Sequence, residues 1–301
     1  MSTDLHVVSV SLGSGTRDTE QQIELLGRTI NVRRIGTNGD FARAGDLIAE
    51  LDGTVDAIGL GGIDLYFTLP NRRFYVQDAV RLANRAKHTA VVCGAGLKNS
   101  LEKRVVQQLD ATIDWRTKKV LMVSAVDRFG MASELVAQGA DTIFGDLMFA
   151  LGLPVAVHSI KTLNVLATTL LPVIGRLPFK WVYPVGAKQE EPKLNKRHEK
   201  LYNWADVIAG DWHFIRKYAP GDLTGKTLLT NTTTPADLEY LRSVNCKQVI
   251  TTTVRLKGRS IGTNLLEAAF VALAGAQEEL PVEQYLALLD QTGVQPEKLT
   301  L

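Results

Sequence analysis

Short apolar, β-branched runs recur along the chain, and between them apolar residues return every three or four positions. The first pattern is that of buried strands and the second that of amphipathic helices. Their alternation points to parallel strands joined by crossover helices, since a tight hairpin cannot connect two parallel strands. The pattern predicts strands near 6–12, 29–35, 55–60, 89–93, 119–124, 141–144, 155–158, 206–209, 226–230 and 248–253. It predicts helices near 18–26, 40–52, 74–87, 99–110, 129–138, 161–175, 212–218, 235–243, 263–275 and 282–290. The expected fold is a Rossmann-like α/β protein: mostly parallel sheet with helices on both faces, built as two lobes.

The segment Asp114–Lys118 separates a helix from the next strand, so the lobes are expected at 1–117 and 118–301; one wide α/β domain is the alternative. An internal echo supports repeated strand–loop–helix units. Residues 140–149 (ADTIFGDLMF) and 205–214 (ADVIAGDWHF) share an apolar strand running into glycine and an acid, and 55–64 (VDAIGLGGID) is a looser copy. A glycine and an acid suit the turn at a strand's end. The proline- and charge-rich stretch from Pro178 to Asn203 is too long for a simple connection. A lid, an oligomer contact or a mobile loop fits it, so a homo-oligomer stays open.

Charge narrows the partners. With 34 basic against 32 acidic residues the net charge is +2, which supplies no field for gripping a nucleic-acid backbone. No apolar run reaches the length of a membrane span, and the first residues show no secretory pattern. Two cysteines without metal-ligand spacing suit a reducing, cytoplasmic compartment, and five scattered histidines give no zinc motif. No metal site is expected. Neither a G-x-S-x-G elbow nor a phosphate-binding P-loop occurs.

In open α/β sheets ligands bind beyond the carboxyl ends of the strands, so the loops there carry the candidates. After Val91–Val92 comes Cys93-Gly94-Ala95-Gly96-Leu97-Lys98-Asn99-Ser100. Glycines admit close backbone approach, a helix start offers free amides, and Lys98 adds a cation, so this loop could cradle a phosphate or carboxylate. Asn99 stands where a third fingerprint glycine would be, and an ordinary capped turn is the competing reading. Gly13 and Ser14 open a similar loop, and Asp64 follows a glycine cluster where it could accept from a ribose hydroxyl or cap a helix.

Asp127 beside Arg128 reads as a general acid or base tuned by a cation, or as a paired helix entrance. Asp146 and Asp211 close the two matched motifs and could form a carboxylate pair for proton transfer or a magnesium site. Asn231 and Thr232 follow a further strand, and Thr234-Pro235 reads as the cap and first residue of a helix. Arg259 and Asn264 precede the last long apolar helix, and the arginine fork suits a carboxylate or phosphate.

The stretches VSVSLGS, DAIGLGGIDLY, GAGLKNSLEKR, VSAVDRFGMA, GDLMFALGLP, TNTTT and GRSIGTNLLEAA together resemble a bacterial family labelled quinate/shikimate 5-dehydrogenase-like. The resemblance implies NAD- or NADP-dependent oxidation of a small alicyclic hydroxy acid on a Rossmann-type fold. Under it, Lys98 and Asp127 become the acid/base candidates. Gly94, Gly96, Asn99, Gly13, Ser14 and Asp64 would line the cofactor, and Arg128, Asn231, Thr232, Arg259 and Asn264 an anionic substrate. The alternative is a protein of the same architecture that binds a small anion or nucleotide and moves no proton.

Overall fold

A computed structural model describes residues 4–70, 72–178, 195–253, 255–256 and 259–301, with the side chains of 255, 256 and 259 left undescribed. Most of the long connection, 179–194, and the expectations placed on it lie outside the described residues. The chain forms two compact units, each drawn from three stretches. One comprises Met1–Ser100, Leu171–Lys188 and Gly262–Gly293; the other comprises Leu101–Leu170, Gln189–Ile261 and Val294–Leu301. The expected lobe boundary at 117/118 falls inside the second.

In the first unit, strands β1 (Leu5–Ser11), β2 (Thr19–Leu25), β3 (Arg28–Gly36), β4 (Ala57–Gly61) and β7 (Val91–Val92) form a sheet ordered β2-β3-β1-β4-β7. All neighbours are parallel except β2 and β3. Helices α1 (Phe41–Leu51) and α2 (Gln77–Ala83) accompany it, with a hairpin of β5 (Tyr66–Leu69) and β6 (Arg72–Tyr75). The helix predicted over 18–26 is strand β2. Glutamate, glutamine and leucine favour helix there, but Leu26 and Gly27 both take positive φ, 53° and 71°. A two-residue turn with both φ positive matches the twist of a hairpin, so β2 folds back on β3 and pairing overrides propensity.

The second unit holds β8 (Lys119–Met122), β9 (Asp141–Phe144), β10 (Val207–Gly210), β11 (Thr227–Thr230), β12 (Gln248–Thr251) and β15 (Glu297–Thr300). Their order is β15-β12-β11-β10-β8-β9, and only β15 is antiparallel. The two-residue strands β13 (Arg255–Leu256) and β14 (Arg259–Ser260) form a hairpin. The strand expected at 155–158 reduces to one bridge between Val157 and Phe144. Helices α4 (Phe129–Ala137), α5 (Asp146–Phe149), α7 (Lys196–Trp204), α8 (Trp212–Tyr218) and α9 (Pro235–Ser243) belong to this unit. Thr234 and Asp237 cap α9 reciprocally with Pro235 in its first turn, as the sequence suggested. A core of Leu121, Ile208, Leu228 and Val249 from the strands packs against Ile215 and Leu241 from the helices.

The remaining helices are α3 (Ala95–Ile113), α6 (Ile160–Ile174), α10 (Thr263–Ala274) and α11 (Val282–Thr292). Along α10, Leu265 to Ala272 are all buried. A helix apolar on every side must be enclosed, and α10 packs against β1 and β4 in the first unit. The class is therefore a two-unit α/β protein of mostly parallel sheets flanked by helices.

Glycine makes α10's close seating possible. A Cβ on Gly59 would stand 2.8 Å from the backbone oxygen of Asn264, whereas Gly53 at φ +74° has open space around it. Gly59→Ala is expected to cost the upper part of about 1–3 kcal/mol by overpacking. Gly53→Ala should lose only about 1–2 kcal/mol of left-handed strain. Urea melts of the two variants check the ordering.

Candidate functional site

Both sheets contain a switch point where consecutive parallel strands depart to opposite sides, the place where open α/β sheets leave a crevice. In the first unit it lies between β1 and β4, and in the second between β8 and β10. The two rims differ sharply.

At the first rim, Ser11 lies opposite both Gly36 and Gly61, and continuing the β4–β7 register brings Gly94 beside Gly61. These glycines admit close approach, and what approaches is the protein's own: backbone at Gly36 and Gly94, the side chains of Ser11 and Asn264 at Gly61. A Cβ on Gly36 would meet the Ser14 carbonyl at 2.6 Å, and one on Gly94, at φ +93°, would meet the Asn264 amide at 2.9 Å. Asn264 donates to Ser9 Oγ at 2.8 Å. The Gly13 loop is likewise bound from within: Arg34 donates to the Ser14 carbonyl and to Ser11 Oγ, and Asn38 accepts from the Gly15 amide.

The start of α3 has its own anion. Buried Glu267, on α10, accepts from the amides of Gly94 and Leu97 and from the Tyr285 hydroxyl. Helix α3 accordingly begins at Ala95, four residues before the 99 predicted from local signals. The cap comes from a residue 173 positions away, which no local pattern could show. Gly96 sits in the first turn, where a Cβ would run into the carboxylates of Glu267 and Glu279. Lys98 is buried and pairs with Asp64 at 3.1 Å. Asn99 lies half-buried in the same first turn. Burial, with Glu279 beside it, pushes Glu267 up to about 7, although three donors pull the other way.

At the second rim the strand ends carry polar side chains instead. Met122 lies opposite Phe144 and Ala209, Gly210 opposite Thr230, and Thr230 opposite Thr251. Continuing each register past the strand ends sets Asp146, Ser124, Asp211, Asn231 and Thr252 in one transverse row. Hydrogen bonds tie its middle: the Asp211 amide donates to Ser124 Oγ at 3.0 Å, and Asn231 Nδ2 donates to Asp211 Oδ2 at 2.9 Å. Asn231 Oδ1 in turn accepts from the Trp212 amide and the Thr230 hydroxyl.

Arg128 locks this row to the helices. It is 2% exposed, and its guanidinium pairs with buried Glu102 on α3, with Asp211 Oδ2 at 3.2 Å and with Asp127 Oδ2 at 3.6 Å. A guanidinium fork facing carboxylates is the arrangement in which an arginine tolerates burial. Burial raises the Asp211 pKa, but His213 and Arg128 outweigh it and hold the carboxyl below its usual range. Asp146 is raised to about 6 by burial, against the pull of the Val126 amide and with Asp127 adding repulsion. Asp146 Oδ1 accepts from that amide at 2.8 Å, whereas Asp146 Oδ2 and Thr252 Oγ1 are buried with no hydrogen-bond partner among the described residues.

Of the residues chosen from sequence, Asp127, Arg128 and Asn231 come together at the second rim, with half-buried Thr232 in the same loop. Gly13, Ser14, Asp64, Gly94, Gly96, Lys98, Asn99 and Asn264 belong to the first unit. The side chain of Arg259, on β14, lies outside the described residues. Glu102 and Thr252 were missed. Glu102 reads as one more charge on an amphipathic helix, and Thr252 as ordinary strand propensity. Among the described residues no group of three or more histidine, cysteine or acidic side chains could hold a metal ion, and no helix is long and apolar enough to cross a membrane.

Residues 96–301 match the model of a domain of unknown function, DUF8754, and the chain belongs to that family; residues 6–93 match a second domain of unknown function, DUF8753. No curated protein sequence matches. Solved structures are only distantly similar. The substrate-binding protein of a sugar ABC transport system from Bordetella parapertussis shares 12% identity over 98% of this chain and 83% of its own, at a TM-score of 0.37. An NAD-dependent malic enzyme from Thermotoga maritima shares 13% over 96% and 84%, at 0.34. A hetero-hexameric glutamate dehydrogenase from Thermus thermophilus shares 11% over 95% and 69%, at 0.37. Likenesses this remote assign no ligand.

Two measurements check the rims. Arg128→Ala leaves Glu102 and Asp211 without their shared cation and is expected to cost about 3–5 kcal/mol in urea unfolding. Glu267 holds its proton more tightly folded, at about 7, than at its ordinary value of 4.5. Its contribution is therefore complete below the ordinary value and lost as pH rises through about 7. In Glu267→Gln that part of the stability–pH slope should vanish.

Proposed function

We propose that this protein binds a small polar molecule at the second rim, over the switch point between β8 and β10, as a binding or sensing protein. The observation that carries the reading is the convergence there of Asp127, Arg128, Asp211 and Asn231, in a row whose Asp146 Oδ2 and Thr252 Oγ1 have no partner within the described protein. A buried polar atom without a partner calls for an explanation, and a ligand or ordered solvent at the rim supplies one. Carboxyl groups displaced from their usual range, here one raised and one lowered, are also characteristic of functional sites.

The nicotinamide reading suggested by the sequence has less to stand on. Its pyrophosphate needs the amides at the start of α3, and those of Gly94 and Leu97 are held by Glu267. The anionic substrate fares no better at the second rim. Arg128 is committed to three carboxylates, and an incoming anion would meet Asp127, Asp146 and Asp211.

Thermal melts with NADH, NADPH and a panel of small polyols, amines, amino acids and hydroxy acids test this. A ligand at 100 times its dissociation constant adds about 2.7 kcal/mol. The expected outcome is no shift with either nicotinamide, and a saturable shift with a panel member that Asn231→Ala removes. Saturable binding of NADH or NADPH, unaffected by Asn231→Ala, would replace this reading with the oxidoreductase one.

A further inference from the structure

The transverse row is complete in its middle and open at its flanks. Ser124, Asp211 and Asn231 hydrogen-bond in series, while the Thr252 hydroxyl, fully buried at one flank, has no partner among the described residues. At the other flank the Val126 amide fixes Asp146 Oδ1, which orients the carboxyl plane and leaves Oδ2 buried with no donor among the described residues. A carboxylate oxygen is an acceptor only, so what completes it must donate.

Resting on the small-molecule reading above, we propose that Asp146 is the anchoring carboxylate of the site. Its ligand is a hydroxyl- or ammonium-bearing molecule without net negative charge, whose donor group hydrogen-bonds Asp146 Oδ2. Among the described residues the surroundings disfavour an anion: Glu102, Asp127 and Asp211 share the buried guanidinium of Arg128, and Asp127 adds repulsion at Asp146. The charge of His213 acts on Asp211, and Asp237, in the first turn of α9, and Glu297, opposite Thr251, are further acids at this end of the sheet. Arg128 has its fork turned to Glu102 and Asp211, so this buried cation serves the protein's own acids. The donor could be the hydroxyl of a polyol or the ammonium of an amine; both offer the same hydrogen bond to the same oxygen.

A protonated carboxyl loses acceptor strength, and with its pKa raised to about 6 Asp146 is mostly neutral at pH 5. Affinity should then fall about tenfold between about pH 7.5 and about pH 5, in proportion to the ionised fraction. Isothermal titration of wild type and Asp146→Asn at both pH values tests this, using myo-inositol and D-ribose as polyols, 1,4-diaminobutane as amine, and quinate and inorganic phosphate as anions. Asparagine keeps an oxygen for the Val126 amide, and melting temperatures confirm that the variant folds.

The expected result is saturable binding of a polyol or of the diamine, weaker at low pH in wild type, and weakened with a flat pH profile in Asp146→Asn. Which arm responds tells hydroxyl from ammonium. An Asp146→Asn variant that binds as wild type does at both pH values overturns the anchoring role, as does the absence of binding by every probe. Binding of quinate or phosphate alone, abolished by Asn231→Ala, overturns the ligand class and keeps the site. Binding indifferent to both substitutions overturns the site as well.

Discussion

Parallel strands that end together leave a rim of backbone and side-chain polar groups, and something must satisfy it. In the second unit the interaction that does so is the buried guanidinium of Arg128, held between Glu102 and Asp211. It ties α3 to the β10 end and to the loop after β8, and so fixes where Asp127, Ser124 and Asn231 stand. An arginine there is stable only because the carboxylates around it replace the water it gave up. Among the described residues the same carboxylates leave the rim acidic.

The first unit solves the same problem differently. Its rim has glycines where the second has polar side chains, and the chain itself lies on them, with Asn264 over Gly59 and Gly94 through its backbone and over Gly61 through its side chain. Glu267 takes the α3 amides that an external phosphate would use. One architecture thus gives a rim covered from within and a rim whose outermost polar atoms lack partners among the described residues. The ligand question moves to the second.

This division explains which residues were legible. Asp127, Arg128 and Asn231 were readable because each lies in the loop that leaves the carboxyl end of an apolar strand, and in a parallel sheet those loops border the crevice. Gly94 and Gly96 were readable as places of close backbone approach, yet a glycine does not say whose backbone approaches. Strand β2 was hidden because its composition favours helix, and its turn works through a leucine at positive φ. The start of α3 was hidden because its cap is remote in sequence.

By itself the sequence determined the α/β class, the alternation of strands and helices, the helix start at Thr234-Pro235 and the set of loops at the carboxyl ends of the strands. These depend on local periodicity and turn chemistry, which are written in neighbouring residues. Tertiary structure alone decided the strand order, the register that lines up Asp146, Ser124, Asp211, Asn231 and Thr252, and the partners of Arg128 and Glu267. Those follow from pairings between residues tens to hundreds of positions apart, where burial and charge compensation select among loops that look alike one at a time.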